Sequence, residues 1–287
     1  MIRTRVVVGT VLAWAAVGLL VGDQYLGPWF PVLFGCLILI GVVAGRELVG
    51  LFPPAARPPV PLVVASACAV VAANWYSVVR GEFLPALPAV ASPWEPALFA
   101  FVGVFLASVL VELYRYREAG AAVPRLGLFA FAVAYLGLLG SFLAQLRWVH
   151  PDAGRSSLIL ALTIFVPKFG DIGAFFAGTF FGRHKMTPLL SPKKTWEGFA
   201  GGMAAAVLVA VGVSLVVPLF RGGMMEAAAF GLVLGVAGVL GDLAESLVKR
   251  DGGAKDAANS IPGFGGLLDV IDSILFAAPV AYFWFKF

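Results

Sequence analysis

GDLAESLVKRDGGAKDAANSIPGFGGLLDVIDS, running from Gly241 to Ser273, decides the reading of this chain. Long apolar runs bracket it, yet it carries Asp242, Glu245, Asp251, Asp256, Asp269 and Asp272 together with Lys249, Arg250 and Lys255. A charge at membrane depth costs roughly 2.5–3.5 kcal/mol on insertion scales, so a set of them calls for a reason. Read as helix, Asp242, Glu245, Ser246 and Lys249 recur at i, i+3, i+4 and i+7 and share one face. The Pro262-Gly263-Phe264-Gly265-Gly266 stretch then predicts a tight turn. A second helix follows it, opening with Asp269 and Asp272 on one face. Carboxylates facing each other across a turn suit a divalent cation with oxygen ligands, of which Mg²⁺ is the usual one. The competing reading pairs Asp242 and Glu245 with Lys249 and Arg250. It leaves Asp269 and Asp272 with few cationic partners in apolar surroundings, and the metal reading is preferred for that reason.

Working outward, 61% of the 287 residues are hydrophobic and 13% charged, and the mean hydropathy is +0.96. That composition predicts an all-α, polytopic integral membrane protein with about nine transmembrane helices. The apolar runs lie near Val6–Val21, Trp29–Gly45, Val60–Val79, Pro96–Leu113, Leu126–Leu146, Leu158–Gly182, Phe199–Phe220, Glu226–Val248 and Leu267–Phe285. Arg3 and Arg5 ahead of the first run resemble the start of a signal peptide. No small-residue cleavage site follows, which predicts an uncleaved span. The proline-rich PPAARPP stretch breaks the chain between the second and third spans. Cys36 and Cys68 lie inside apolar runs and read as small core residues. Glu47 beside Arg46 reads as an interfacial pair, and Asn74-Trp75 as an interfacial anchor.

Sidedness follows from the basic residues. With the N-terminus in the cytoplasm, Arg3, Arg5, Arg46, Arg57, Arg115, Arg117, Arg125, Arg183, Lys185, Lys193, Lys194, Lys249, Arg250 and Lys255 lie inside. Arg80, Arg147, Arg155, Arg221 and Lys286 lie outside. The bias predicts the cytoplasmic membrane, with the two polar loops 183–198 and 249–266 facing the cytoplasm. Basic residues between spans answer to membrane lipid headgroups rather than to nucleic acid. The chain divides by content into residues 1–120, a scaffold of transmembrane helices, and residues 121–287, a transmembrane catalytic region with those two loops.

A second polar constellation precedes the first. FVPKFGDIGAFFAGTFFG puts Pro167, Lys168 and Asp171 into an apolar run. Lys168 and Asp171 could simply neutralise each other; the functional reading is a broken helix beside a polar cavity. GRHKMTPLLSPKKTWEG then supplies Arg183, Lys185, Lys193 and Lys194 with the hydroxyls of Ser191 and Thr195, the groups a polyphosphate needs. His184 reads as structural. A transporter would use intramembrane charges too, but it commonly carries them in corresponding halves, and here they are confined to the second half.

At these residues the sequence resembles the phosphatidate cytidylyltransferases, or CDP-diacylglycerol synthases. That family's signature runs Ser-x-apolar-Lys-Arg, four residues, Lys-Asp, a Pro-x-His-Gly-Gly turn and Asp-Arg-x-Asp. Here Ser246, Val248, Lys249, Arg250, Lys255, Asp256, Pro262, Gly265, Gly266, Asp269 and Asp272 fill it. The tract from Asp171 to Gly198 matches the family's other motif almost throughout. Phe264 stands where the family has His, and Val270 where it has Arg.

The resemblance implies that CTP and phosphatidic acid become CDP-diacylglycerol and pyrophosphate with Mg²⁺, and with K⁺ sharing the site. It implies a metal set of Asp242, Glu245 and Asp269, and catalytic roles for Asp242, Lys249, Asp269 and Asp272. Substrate contacts would fall to Arg183, Lys185, Ser191, Lys193, Lys194, Thr195, Ser246, Arg250 and Lys255. A homodimer would be ordinary for such a protein. The alternatives are a homologue acting on another lipid phosphate, or a silent one.

Overall fold

The structure, a computed structural model, describes residues 2–117 and 119–287, with side chains from Val7 onward. The side chains of Arg3 and Arg5, used above for sidedness, lie outside the described residues. Nine helices among the described residues are long and apolar enough to cross a membrane, from Val7–Leu26 to Leu268–Lys286. Each overlaps one of the nine apolar runs. The protein is an integral membrane protein of helical class.

Two compact units can be recognised: residues 1–145 with 256–268, and residues 146–255 with 269–287. The first contains α1 (Ile2–Asp23), α2 (Pro31–Leu51), α3 (Val60–Ala72), α4 (Tyr76–Glu82), α5 (Glu95–Arg115), α6 (Ala122–Val133) and most of α7 (Leu139–Leu146). Small residues let α2 and α3 approach closely: a Cβ on Gly41 would lie 3.0 Å from Cys68 Sγ, and one on Gly45 3.1 Å from Val64. Both cysteines are free. The proline-rich stretch forms a short turn in which Arg57 donates to the carbonyls of Phe52 (2.8 Å) and Gly50 (3.0 Å). These are carbonyls at the end of α2 with no helical partner of their own.

Two sequence expectations change here. Asn74 and Trp75 are buried rather than interfacial. Asn74 donates to Ser141 Oγ at 2.8 Å and accepts from Gln145 at 2.9 Å, while Trp75 Nε1 donates to the Trp29 carbonyl at 2.6 Å. Buried amides must be paired, and this network does so. Glu47 is also buried, and its partners are Ser260, Leu267 and Leu268 rather than Arg46.

The returning segment of this unit makes the tight turn read from its glycines. Ile261 and Gly265 exchange backbone hydrogen bonds at 2.7 and 3.1 Å around Pro262-Gly263-Phe264. Gly263 and Gly265 have φ of 86° and 108°, a region that costs glycine little and other residues much. The Phe264 ring lies against Gly9 of α1.

The second unit contains α8 (Ala153–Phe181), a hairpin of β1 (Lys185–Thr187) and β2 (Ser191–Thr195), α9 (Trp196–Val216), α10 (Gly223–Asp251) and most of α11 (Leu268–Lys286). The expected break at Pro167 does not occur; α8 runs through it as one helix. Glycines explain how these helices meet. Gly173 and Gly178 of α8 face Gly198 and Gly201 of α9, and a Cβ on Gly173 would come within 2.8 Å of the Gly201 carbonyl. Helices in lipid associate through such close approach of small residues. On α10, Gly231 and Gly235 seat against Ala206, and Gly238 against Pro167. Gly241 abuts the Asp272 carbonyl of α11 so closely that a Cβ would collide with it. This ladder of glycines sets where the charged residues of α10 meet α8 and α11.

Candidate active site

α10 carries the site's first row. Helical spacing puts Asp242, Glu245, Ser246 and Lys249 on one side, and the side chains join: Ser246 Oγ donates to Asp242 at 3.4 Å and Lys249 Nζ to Glu245 Oε2 at 2.6 Å. Lys249 Nζ also lies 2.6 Å from Asp269 Oδ1 on α11. Because Gly241 lets α11 approach, Asp272 comes alongside the same row. One oxygen each of Asp242, Glu245 and Asp272 lie within 4.8 Å of one another.

Lysines surround this trio. Lys168 of α8 lies 3.5 Å from Asp171 and 3.7 Å from Asp272. Lys194, at the end of β2, lies 2.7 Å from Asp242 Oδ2. Among the described residues, the cluster therefore counts five carboxylates, Asp171, Asp242, Glu245, Asp269 and Asp272, against three lysines, 168, 194 and 249. The formal excess is two negative charges. Glu245 is 1% exposed, and its Oε1 is buried with no hydrogen bond among the described residues. An orphaned carboxylate oxygen beside two further carboxylates, with two charges in excess, fits a divalent cation bound through oxygen.

The hairpin is fastened at both ends. Glu197, in the first turn of α9, accepts from the backbone N–H groups of Arg183 (3.1 Å) and His184 (3.2 Å), and its other oxygen meets His184 Nδ1 at 2.5 Å. Thr195 is the N-cap of α9, its Oγ1 accepting from Gly198 N at 3.1 Å. At the turn, Arg250 donates to the Leu190 carbonyl at 3.2 Å. Of the groups read as substrate contacts, Arg183, Lys185, Lys193, Arg250 and Lys255 are exposed. Ser191 and Lys194 are partly buried, and Thr195 and Ser246 are buried.

The structure thus brings together Asp242, Glu245, Ser246, Lys249, Asp269, Asp272 and Lys194. It groups Asp272 with Asp242 and Glu245, the position the sequence reading gave to Asp269, and it holds Asp269 on Lys249. The reach of Lys168 to Asp272 was not legible, because only its neighbour Asp171 is near in sequence. The glycines on α10 were the available signal for the close helix contact.

The pattern of the cytidylyltransferase family matches residues 3–287. Relatives of the chain include three called phosphatidate cytidylyltransferase. The one from Synechocystis sp. is 35% identical over 205 residues, 70% of this chain and 65% of the relative. The one from Mycobacterium leprae is 38% identical over 170 residues, 58% of this chain and 49% of the relative. The one from Bacillus subtilis is 35% identical over 193 residues, 67% of this chain and 68% of the relative. The matches therefore span between about half and two thirds of these relatives' own lengths.

Proposed function

The chain belongs to the cytidylyltransferase family, and on that premise we propose that it transfers the cytidylyl group of CTP to the phosphate of phosphatidic acid. The products are CDP-diacylglycerol and pyrophosphate. A lipid phosphate oxygen attacks the α-phosphorus of CTP, and the bond from that phosphorus to the oxygen bridging toward the β-phosphorus breaks. Pyrophosphate leaves with the electron pair. The lipid phosphate is itself the nucleophile, so the protein's task is to position two polyanions and offset their charge.

The observation that carries this reading is the oxygen cluster of Asp242, Glu245 and Asp272, with the orphaned Oε1 of Glu245 inside it. These residues would hold Mg²⁺, which when bound neutralises phosphate charge. Lys249, held between Glu245 and Asp269, fixes the two rows of acids in register. Lys194 is poised to exchange Asp242 for a phosphate oxygen, and the exposed Arg183, Lys185 and Lys193 on the same hairpin suit further phosphate oxygens. Ser246 orients Asp242, and Arg250 steadies the hairpin turn. The excess of basic residues on this side supports a cytoplasmic active site, where CTP is available.

The test uses purified protein in detergent with CTP labelled at the α-phosphorus and phosphatidic acid. Label appearing in a CDP-lipid, with pyrophosphate released in equal amount, supports the proposal. Folded protein that labels no lipid in the presence of Mg²⁺ overturns it.

A further inference from the structure

We propose that Glu47, in the second helix of the chain, is a positioning residue that holds the turn Ser260–Leu268; its consequence for catalysis rests on the reaction proposed above. Glu47 is 8% exposed in a helix whose one other charged residue is Arg46, and a buried carboxylate there is costly unless it is used. It is used three times. It accepts from Ser260 Oγ at 2.6 Å, from Leu267 N at 3.1 Å and from Leu268 N at 2.8 Å. The last two are amides at the start of α11, which begins at Leu268.

The first amides of a helix have no partners within it, and a Ser, Thr, Asp or Asn just before the helix normally supplies one. Here the preceding residues are Gly265, Gly266 and Leu267, so the chain offers no local cap. Glu47 supplies the acceptor from more than two hundred residues away, and its negative charge suits a helix N-terminus. Gly266 is shaped to it: a Cβ there would lie 2.6 Å from Glu47 Oε2 and 3.1 Å from Ala258 N. Leu268 is followed directly in the chain by Asp269. Fixing the amides of Leu267 and Leu268 therefore fixes the backbone from which the family's acidic pair departs.

Glutamine keeps the shape of Glu47 but has one acceptor oxygen for three donors and turns an NH₂ toward them. The full-length Glu47→Gln, Glu47→Asp and Ser260→Ala variants are compared with the parent by hydrogen exchange of residues 260–268 and by separate kcat and KM for CTP and phosphatidic acid. In Glu47→Gln, exchange at Leu267 and Leu268 is expected to rise, and kcat to fall about tenfold or more, as small misplacements do. KM for CTP should stay within about twofold. Glu47→Asp, which keeps two acceptor oxygens, should recover part of kcat, and Ser260→Ala should show a smaller loss of the same kind.

Unchanged kcat despite released amides overturns the positioning role, as does unchanged exchange. A fall in kcat accompanied by faster exchange throughout α2 and α3 also overturns it, since that is general destabilisation. If Glu47→Gln does not fold, Glu47→Asp and Ser260→Ala decide by the same criteria. A parent protein that makes no CDP-lipid refutes the proposed reaction instead. The exchange of Leu267 and Leu268 then decides by itself whether Glu47 holds the turn.

Discussion

Lys249 Nζ lies 2.6 Å from an oxygen of Asp269, a bond from α10 to the first turn of α11. The same nitrogen lies 2.6 Å from Glu245 Oε2, one turn back on its own helix. A single ammonium group thereby bridges an acid on each helix at the place where they meet. Lys249→Met would leave both carboxylates without that partner, and removing one partner from a buried pair costs about 3–5 kcal/mol. The expected outcome is a markedly lower unfolding midpoint in detergent, together with loss of turnover. A variant as stable as the parent would contradict this account of Lys249.

Lys194 lies 2.7 Å from Asp242 Oδ2 and, on the proposed function, would compete with the cation for that carboxylate. Lys194→Gln is expected to lower the Mg²⁺ concentration at half-maximal activity, because Asp242 is freed for the ion. It should also raise KM for CTP by roughly 10–150-fold, the loss of one charge-assisted hydrogen bond of roughly 1.5–3 kcal/mol. Steady-state kinetics with Mg²⁺ and CTP varied independently measure both. A rise in both constants would show that Lys194 supports the cation rather than competing with it.

Gly241 tests the packing that creates the site. A Cβ at that position meets the Asp272 carbonyl, which is backbone and cannot swing aside. Gly241→Ala is expected to destabilise by at least about 1–3 kcal/mol, the usual cost of overpacking. Gly212→Ala on α9 meets nothing within 4 Å, and there the change should stabilise by up to about 1 kcal/mol through helix propensity. Unfolding midpoints of the two variants in the same detergent should move in opposite directions.

The fold was legible because hydropathy and length alone define a membrane span, and each apolar run became a helix. The row from Asp242 to Lys249 was legible because helical spacing fixes neighbours three and four residues apart. Partners separated by a hundred residues or more were not. Nothing local to Lys168 says that it reaches Asp272, and nothing local to Glu47 says that its partners begin at Ser260. Pro167 misled because a proline in a sequence predicts a break, whereas α8 continues through it beside Gly238 of α10. The loop 183–198 proved to be a hairpin because Glu197, Thr195 and Arg250 pin its base and turn.

On the proposed function, Asp242, Glu245 and Asp272 form the cation site, with Asp269 held apart on Lys249. The most direct measurement is the rate of CDP-lipid formation against Mg²⁺ concentration for the parent, Asp272→Asn and Asp269→Asn. Asp272→Asn is expected to need roughly 10–100-fold more Mg²⁺ for half-maximal rate, the scale on which changes at a metal site usually act. Asp269→Asn should lose rate at every Mg²⁺ concentration without shifting the midpoint. The reverse pattern, with Asp269→Asn shifting the midpoint and Asp272→Asn leaving it in place, would contradict the assignment.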